Sequence, residues 1–200
     1  PFRYEIKIEM KSRAGLGSNE DSQPSSLDTA QLKLGFREFE VEGSKFRLNG
    51  NPIAIRGLLN WGYSPPRTAP ALSEEWMLNE IRVAQERGFN LMKFCLWIPP
   101  KRYLELCDQQ GMMAWVEYPT WHPRLDENHL NELIQEYAEF FEYDRNHCSI
   151  VLRSLTCETG PGADLEVVTA LYDQCKRLIP DAVLEDDSSW IQWNRCLLYT

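Results

Sequence analysis

Two different periods of apolar residues divide the chain. At its start Phe2, Tyr4, Ile6, Ile8 and Met10 alternate with Arg3, Glu5, Lys7 and Glu9, the pattern of a half-buried antiparallel strand with one wet face. Residues 11 to 31, rich in Gly, Ser, Asn and Pro, read as a polar loop. Alternation returns at Leu32, Leu34 and Phe36, then slips phase to Phe39 and Val41, which predicts a bulge near Arg37. Two strands do not make a domain by themselves. They read as the last strands of a β-sandwich, and residues 1–42 are assigned to it.

From residue 43 to residue 200 the pattern changes. Lys45 to Leu48 and Ile53 to Leu59 flank Asn49-Gly50-Asn51-Pro52, a strong hairpin turn. Strands and helices then alternate. Ser73 caps a helix with Met77, Ile81 and Ala84 on its inner face and Gly88 at its end. Asn90 to Trp97 reads as a strand, Pro99 and Pro100 open a helix that Gly111 closes, and Met112 to Tyr118 is the next strand. Leu130, Leu133, Ile134, Tyr137 and Phe141 form the clearest helical stripe. Ile150 to Cys157 is an apolar run that suits a buried parallel strand, and it stops at Glu158. A helix with Leu165, Val168, Leu171, Tyr172 and Cys175 inward follows, and Ala182 to Leu184 starts a fifth strand that runs into Glu185, Asp186 and Asp187.

Strands each followed by a helix or loop predict a parallel sheet with helical crossovers, an α/β fold. Two architectures fit. One is the N-terminal portion of a (β/α)8 TIM barrel, which at this length would be about three strands short. The other is a complete doubly wound sheet, for which no glycine-rich turn after the first strand speaks. The chain opens in mid-strand without an initiator methionine or a signal peptide, so it reads as a piece of something longer.

Composition narrows the partners. A net charge of −9 argues against nucleic acid or an anionic membrane, while it suits a neutral ligand. No apolar run approaches the length of a membrane span. The six cysteines include no CxxC pair, and Cys95, Cys107 and Cys175 fall in apolar phase, which suits reduced core residues and leaves the compartment open. His122, His129 and His147 are too scattered for a metal site, and no cofactor is implied. A homo-oligomer stays open.

In a parallel barrel the C-terminal ends of the strands share one face. Collected there are Asn60, Trp61 and Tyr63; Trp97; Glu117, Trp121 and His122; Glu158; and Asp186, Asp187 and Trp190. Indole rings stack on the C–H faces of sugars, carboxylates and amides bind their hydroxyls, and glycosidic cleavage needs two carboxyl groups. Trp76 and Trp115 fall outside this set and read as packing. A carbohydrate is therefore the expected substrate.

Several segments resemble the family 2 glycoside hydrolases, which include β-galactosidases, β-glucuronidases and β-mannosidases. Gly35-Phe36-Arg37 with Glu40-Val41-Glu42 resembles the end of that family's immunoglobulin-like domain. Phe46-Arg47-Leu48-Asn49-Gly50-Asn51-Pro52 with Ile55-Arg56-Gly57 resembles its barrel entry. Gly88-Phe89-Asn90, Cys107-Asp108-Gln109-Gln110-Gly111 and Val116-Glu117-Tyr118-Pro119 resemble the next repeats, and Asp144 to Val151 the lead into strand four. The resemblance spans nearly the whole chain. It implies that Glu158 is the general acid/base of a retaining double displacement, with the nucleophile beyond residue 200. The candidate sugar contacts are Asn60, Trp61, Trp97, Glu117, Trp121, His122 and Asp187 from the strand ends, with Cys157 added by its place in the family's motif.

The chain departs from the family's W-S-L-G-N-E motif, for it reads Arg153-Ser154-Leu155-Thr156-Cys157-Glu158. Cys157 stands where the family has an asparagine that holds the sugar's 2-hydroxyl, and a thiol is a weak hydrogen-bonding partner. Arg153 stands in the barrel wall and requires a buried carboxylate. Two readings follow: a hydrolase with a changed pocket at the sugar's C2, or a catalytically weakened barrel that binds carbohydrate or supports an assembly.

Overall fold

A computed structural model describes residues 3–12, 26–64, 72–121, 125–159 and 164–188. It divides into two units between Phe36 and Arg37. The first is an antiparallel ribbon of β1 (Arg3–Lys11) and β2 (Ser26–Gly35), with Tyr4 opposite Leu34, Ile6 opposite Leu32 and Ile8 opposite Ala30. The expected half-buried face is not buried: Tyr4, Ile6, Ile8 and Met10 are all exposed. The pairing is as the alternation dictates, but two strands hold no second layer against which to bury it. Strand β2 also takes residues from Ser26 onward that the sequence reading gave to a loop.

The phase slip near Arg37 is a change of unit rather than a bulge. Strand β2 stops at Gly35, and β3 (Phe39–Glu42) pairs instead with β4 (Lys45–Leu48), which pairs with β5 (Asn51–Ile53). Residues 39–42, grouped by sequence with the first domain, thus belong structurally with the second. The β4–β5 turn has Asn49 at φ 51° and Gly50 at φ 74°, the two left-handed residues that a type I′ hairpin demands. Asn49 Oδ1 also accepts from the Glu38 amide at 2.9 Å, so the same residue ties down the entry to β3.

Five parallel strands follow: β6 (Gly57–Asn60), β7 (Leu91–Phe94), β8 (Met113–Glu117), β9 (Ile150–Cys157) and β10 (Leu184–Ser188). Their order in the sheet is their order in the chain. A doubly wound sheet reverses its direction of winding at a switch point, and no such reversal occurs among the described strands. Sequential winding is that of a (β/α)8 barrel.

The crossovers are α1 (Glu74–Glu86), α2 (Lys101–Gln110), α3 (Leu130–Asp144), entered through a 3-10 turn at Glu127–His129, and α4 (Leu165–Leu178). Ser73 Oγ accepts from the Trp76 amide at 3.2 Å, Asp164 caps α4 in the same way, and Gly111 closes α2 at φ 71°. Their apolar stripes, with Met77, Ile81, Leu104, Cys107, Phe141, Leu171 and Cys175, pack on Met92, Phe94, Ala114 and Val116 of the sheet. Cys107 and Cys175 are reduced and wholly buried, and burial pushes the Cys175 thiol up to about 12.

At the N-terminal ends of the strands a second cluster joins Phe39 to Leu91, Met113, Val151, Leu152 and Val183. Phe46, Leu48 and Ile53 pack against it, so the small β3–β4–β5 sheet covers that end. Arg37 adds a clamp, donating to the Ile150 carbonyl and pairing with Asp181, each at 2.7 Å.

The buried carboxylate that Arg153 requires is Asp144, at the end of α3. Arg153 Nη2 lies 3.0 Å from Asp144 Oδ1, and the Tyr118 hydroxyl donates to Asp144 Oδ2 at 3.0 Å. Burial opposes the guanidinium charge, but Asp144 outweighs it and holds the pKa of Arg153 above its ordinary value. Arg153 therefore bonds to the helical layer, and its departure from the family motif is a change in the wall.

Candidate active site

Glu158 is the first residue after β9. Its φ of 52° is left-handed, a conformation that costs a residue with a side chain roughly 1 kcal/mol. Three contacts hold it there. Its amide donates to the Ser188 carbonyl on β10 at 3.1 Å. The next amide, that of Thr159, donates to Asp187 Oδ1 at 2.9 Å. On the other side the Trp121 indole N–H donates to Glu158 Oε2 at 2.8 Å. The segment after β8 reaches Glu158 because it extends the sheet: Trp121 and Cys157 form a parallel bridge, and the Cys157 amide donates to the Thr120 carbonyl at 3.0 Å.

The structure thus brings together Trp121, Cys157, Glu158 and Asp187 from the sequence-predicted set. Asp187 is engaged with protein: besides the Thr159 amide, its Oδ1 lies 3.2 Å from the Thr156 hydroxyl. Cys157 is buried at 5% exposure, and Trp121 is open at 60%.

Glu117 points into the barrel rather than toward open solvent and is wholly buried. Lys93 Nζ lies 2.5 Å from its Oε2, the Ser188 hydroxyl donates to the same oxygen, and the Cys95 thiol lies 2.9 Å from Oε1. Burial first, and then the Glu117 carboxylate, push the Cys95 thiol up to about 12, so it is an inert group. Lys93 also sits 4.4 Å from the centre of the Trp115 ring. The Trp115 indole donates to Ser154 at 2.7 Å, and Ser154 donates to Glu185 Oε2 at 2.8 Å. Burial raises the pKa of Glu185.

Lys93, Ser154 and Glu185 were missed by the sequence reading. Only Lys93 carried a signal, as the lone charge inside the apolar strand Leu91–Phe94, though not its partner; Ser154 and Glu185 have polar neighbours in their own strands, so nothing in the pattern sets them apart. Trp115, expected as simple packing, belongs to this polar ladder.

Asn60 and Trp97 meet each other at the end of β6. Trp97 donates from its indole to the Asn60 carbonyl at 2.9 Å, and Asn60 Oδ1 accepts from the Gly62 amide at 2.8 Å. Asn60 Nδ2 lies 3.1 Å from the Tyr103 hydroxyl, which donates to Glu80 at 2.7 Å. Gly62, at φ 71°, lets Trp97 lie so close that a Cβ there would come within 2.8 Å of the indole. These two residues fasten the rim. Trp61 and Tyr63 beside them are exposed. His122 and Trp190 lie outside the described residues.

Among the described residues no group of three or more His, Cys, Asp or Glu side chains could hold a metal ion. No helix among them is long and apolar enough to cross a membrane.

A singly wound parallel sheet whose strand ends carry a strained glutamate, carboxylates and open indoles defines a barrel of the (β/α)8 class, in which chemistry resides at that end. Comparison with known proteins places it more closely. Residues 39–181 match the model of the glycosyl hydrolases family 2 TIM barrel domain, and the chain belongs to that family. It is 26% identical over 184 residues to a β-galactosidase of Lactococcus lactis, a match that covers 88% of this chain and 17% of that protein. It is 29% identical over 188 residues to a β-galactosidase of Psychromonas ingrahamii, covering 90% and 17%. The chain thus spans under a fifth of these relatives' length.

Among solved structures, a β-glucuronidase of Parabacteroides merdae shares the fold at a TM-score of 0.75 and 22% identity, covering 92% of this chain and 23% of that one. A β-galacturonidase of Eisenbergiella tayi bound to galacturonate does so at 0.71 and 22%, covering 90% and 30%. Both likenesses concern the fold.

Proposed function

We propose that these residues form part of a glycoside hydrolase that removes terminal β-linked sugars by a retaining double displacement, with Glu158 as acid/base. The observation that carries the reading is the position of Glu158. It follows a barrel strand directly, in a left-handed backbone that a structural role would not require, with its carboxylate oriented by an indole N–H. Membership of the family and the β-galactosidase relatives support it.

On this reading Glu158 first donates its proton to the glycosidic oxygen as that oxygen leaves the anomeric carbon with the bonding electron pair. A second carboxylate, from outside residues 1–200, attacks the same carbon and forms a glycosyl ester. Glu158, now ionised, takes a proton from water, whose oxygen replaces the ester. Trp61 and Trp121, the open indoles, supply faces for the sugar rings. Residues 1–200 alone lack the nucleophile and do not hydrolyse. The ribbon β1–β2, with its uncovered apolar face, is the closing hairpin of an immunoglobulin-like sandwich that precedes the barrel.

The test is hydrolysis of activated aryl β-glycosides by the full-length protein and its Glu158→Ala variant, with and without azide. The parent cleaves one sugar, and azide restores turnover to the variant by capturing the glycosyl ester as a glycosyl azide. Cys157 favours a second reading, since it puts a buried thiol beside Glu158 in the place of a hydrogen-bonding amide. If the folded parent cleaves nothing in the panel but binds sugars, the barrel is a carbohydrate-binding or scaffolding domain.

A further inference from the structure

Trp121 was expected among the sugar-stacking residues, yet its polar edge is engaged with protein. The indole N–H donates to Glu158 Oε2 at 2.8 Å. Its backbone is tied to the strand that carries Glu158, through the bridge to Cys157 and the Cys157 amide on the Thr120 carbonyl. Thr120 is tied again through its side chain. Its hydroxyl lies 2.7 Å from the hydroxyl of buried Tyr137, which donates to the Leu155 carbonyl of β9 at 2.5 Å. The platform of the donor and the strand of the acceptor therefore move as one piece. A hydrogen bond built in this way is preorganised and needs no rearrangement during reaction.

We infer that Trp121 is a positioning residue for Glu158: its indole N–H selects the carboxylate oxygen and rotamer from which the proton is delivered. The inference rests on Glu158 being the acid/base. An N–H donor at Oε2 makes that oxygen the acceptor, so the proton of the neutral acid is carried on Oε1. When the proton passes from Oε1 to the glycosidic oxygen, the C–O bond breaks with its electron pair on the departing oxygen. The carboxylate left behind keeps the indole N–H on Oε2, and such a bond strengthens as its acceptor becomes charged. The same contact holds the ionised group in place while it removes a proton from water. The ring face of Trp121 is exposed, so positioning and sugar stacking are separable in one side chain.

The test uses the full-length protein with Trp121→Phe, which keeps an aromatic face and removes the N–H. Trp121 is 60% exposed, so the variant is expected to melt with the parent. Aryl glycosides with poor leaving groups need the proton, and their kcat/KM falls about 10- to 100-fold with kcat carrying the loss. Activated aryl glycosides leave without it, and their glycosylation rate changes no more than about threefold. In a Glu158→Ala background, Trp121→Phe has no further effect, because the group it acts through is gone. An equal loss on good and poor leaving groups, a rise in KM alone, or a full additional loss in the Glu158→Ala background would each make Trp121 a sugar platform only. If Glu158→Ala is as active as the parent on poor leaving groups, the acid/base assignment itself fails and this inference falls with it.

Discussion

The two ends of the parallel sheet are built on opposite plans. At the N-terminal ends Phe39, Leu91, Met113, Val151, Leu152 and Val183 close into an apolar cluster under a small hairpin sheet. At the C-terminal ends the same strands terminate in Glu117, Glu158, Asp186 and Asp187, and the backbone turns left-handed at Leu96 and Glu158. One end gains stability from burial. The other holds charge and strain that burial alone would remove. The difference implies that substitutions at the two ends separate stability from activity, and four of them test this.

The largest effect belongs to the mouth. Glu158→Ala in the full-length protein lowers kcat/KM on substrates with poor leaving groups about 10²- to 10⁴-fold, the range that a general acid supplies. The melting temperature stays within a degree or two, since alanine carries the same left-handed backbone and keeps the amide bond to the Ser188 carbonyl. A large drop in melting temperature would show that Glu158 belongs to the framework.

The wall between the ends comes next. Asp144→Ala leaves Arg153 buried without its carboxylate, with Arg153 at 1% exposure, and costs about 3–5 kcal/mol in urea unfolding of the barrel. Restoring the balance with Arg153→Met recovers most of that loss, because removing both charges spares their desolvation. If Asp144→Ala costs under about 1 kcal/mol, the pair is wet and the wall reading is wrong.

Phe39→Ala at the closed end removes a ring that is 4% exposed and stacked on Phe46 at 5.5 Å, and it costs about 3 kcal/mol. The Michaelis constant stays unchanged. A shift in substrate affinity from this residue would break the division between the two ends.

Phe39 also shows what the amino-acid pattern leaves out. Its phase slip from Phe36 was legible, but the slip reads equally as a bulge or as a change of partner, and only the pairing with Leu48 decides it. The parallel strands and the helices were legible because their burial repeats along the chain. Glu158 was legible because it ends an apolar run. Lys93 and Glu185 were not, because a charge inside a strand has no partner until the neighbouring strands align. Asp187 reads as a mouth carboxylate by position; its bond to the Thr159 amide depends on a loop conformation that no periodicity encodes.

The smallest effects sharpen the comparison through pH. Near the closed end Asp108 accepts from the Ser149 amide at 2.8 Å and pairs with His147 at 2.7 Å. Burial opposes its charge, but these partners win and hold its pKa below the ordinary carboxylate value. Its contribution is therefore present above the unfolded pKa and is lost as pH falls through the folded one. Glu185, near the mouth, is shifted the other way by burial. Its ionisation is unfavourable in the fold, so its cost grows as pH rises through the ordinary glutamate range and persists at neutrality. Asp108→Asn should lower stability at pH 7 by about 1–2 kcal/mol and flatten the decline below about pH 4. Glu185→Gln should instead raise stability at pH 7 by up to about 1 kcal/mol, keep the Ser154 hydroxyl satisfied through its amide oxygen, and change nothing at pH 3. Urea midpoints at the two pH values read both signs. Two variants that moved together would mean that the carboxylates at the two ends share one environment, and the division between a stabilising end and a working end would fail.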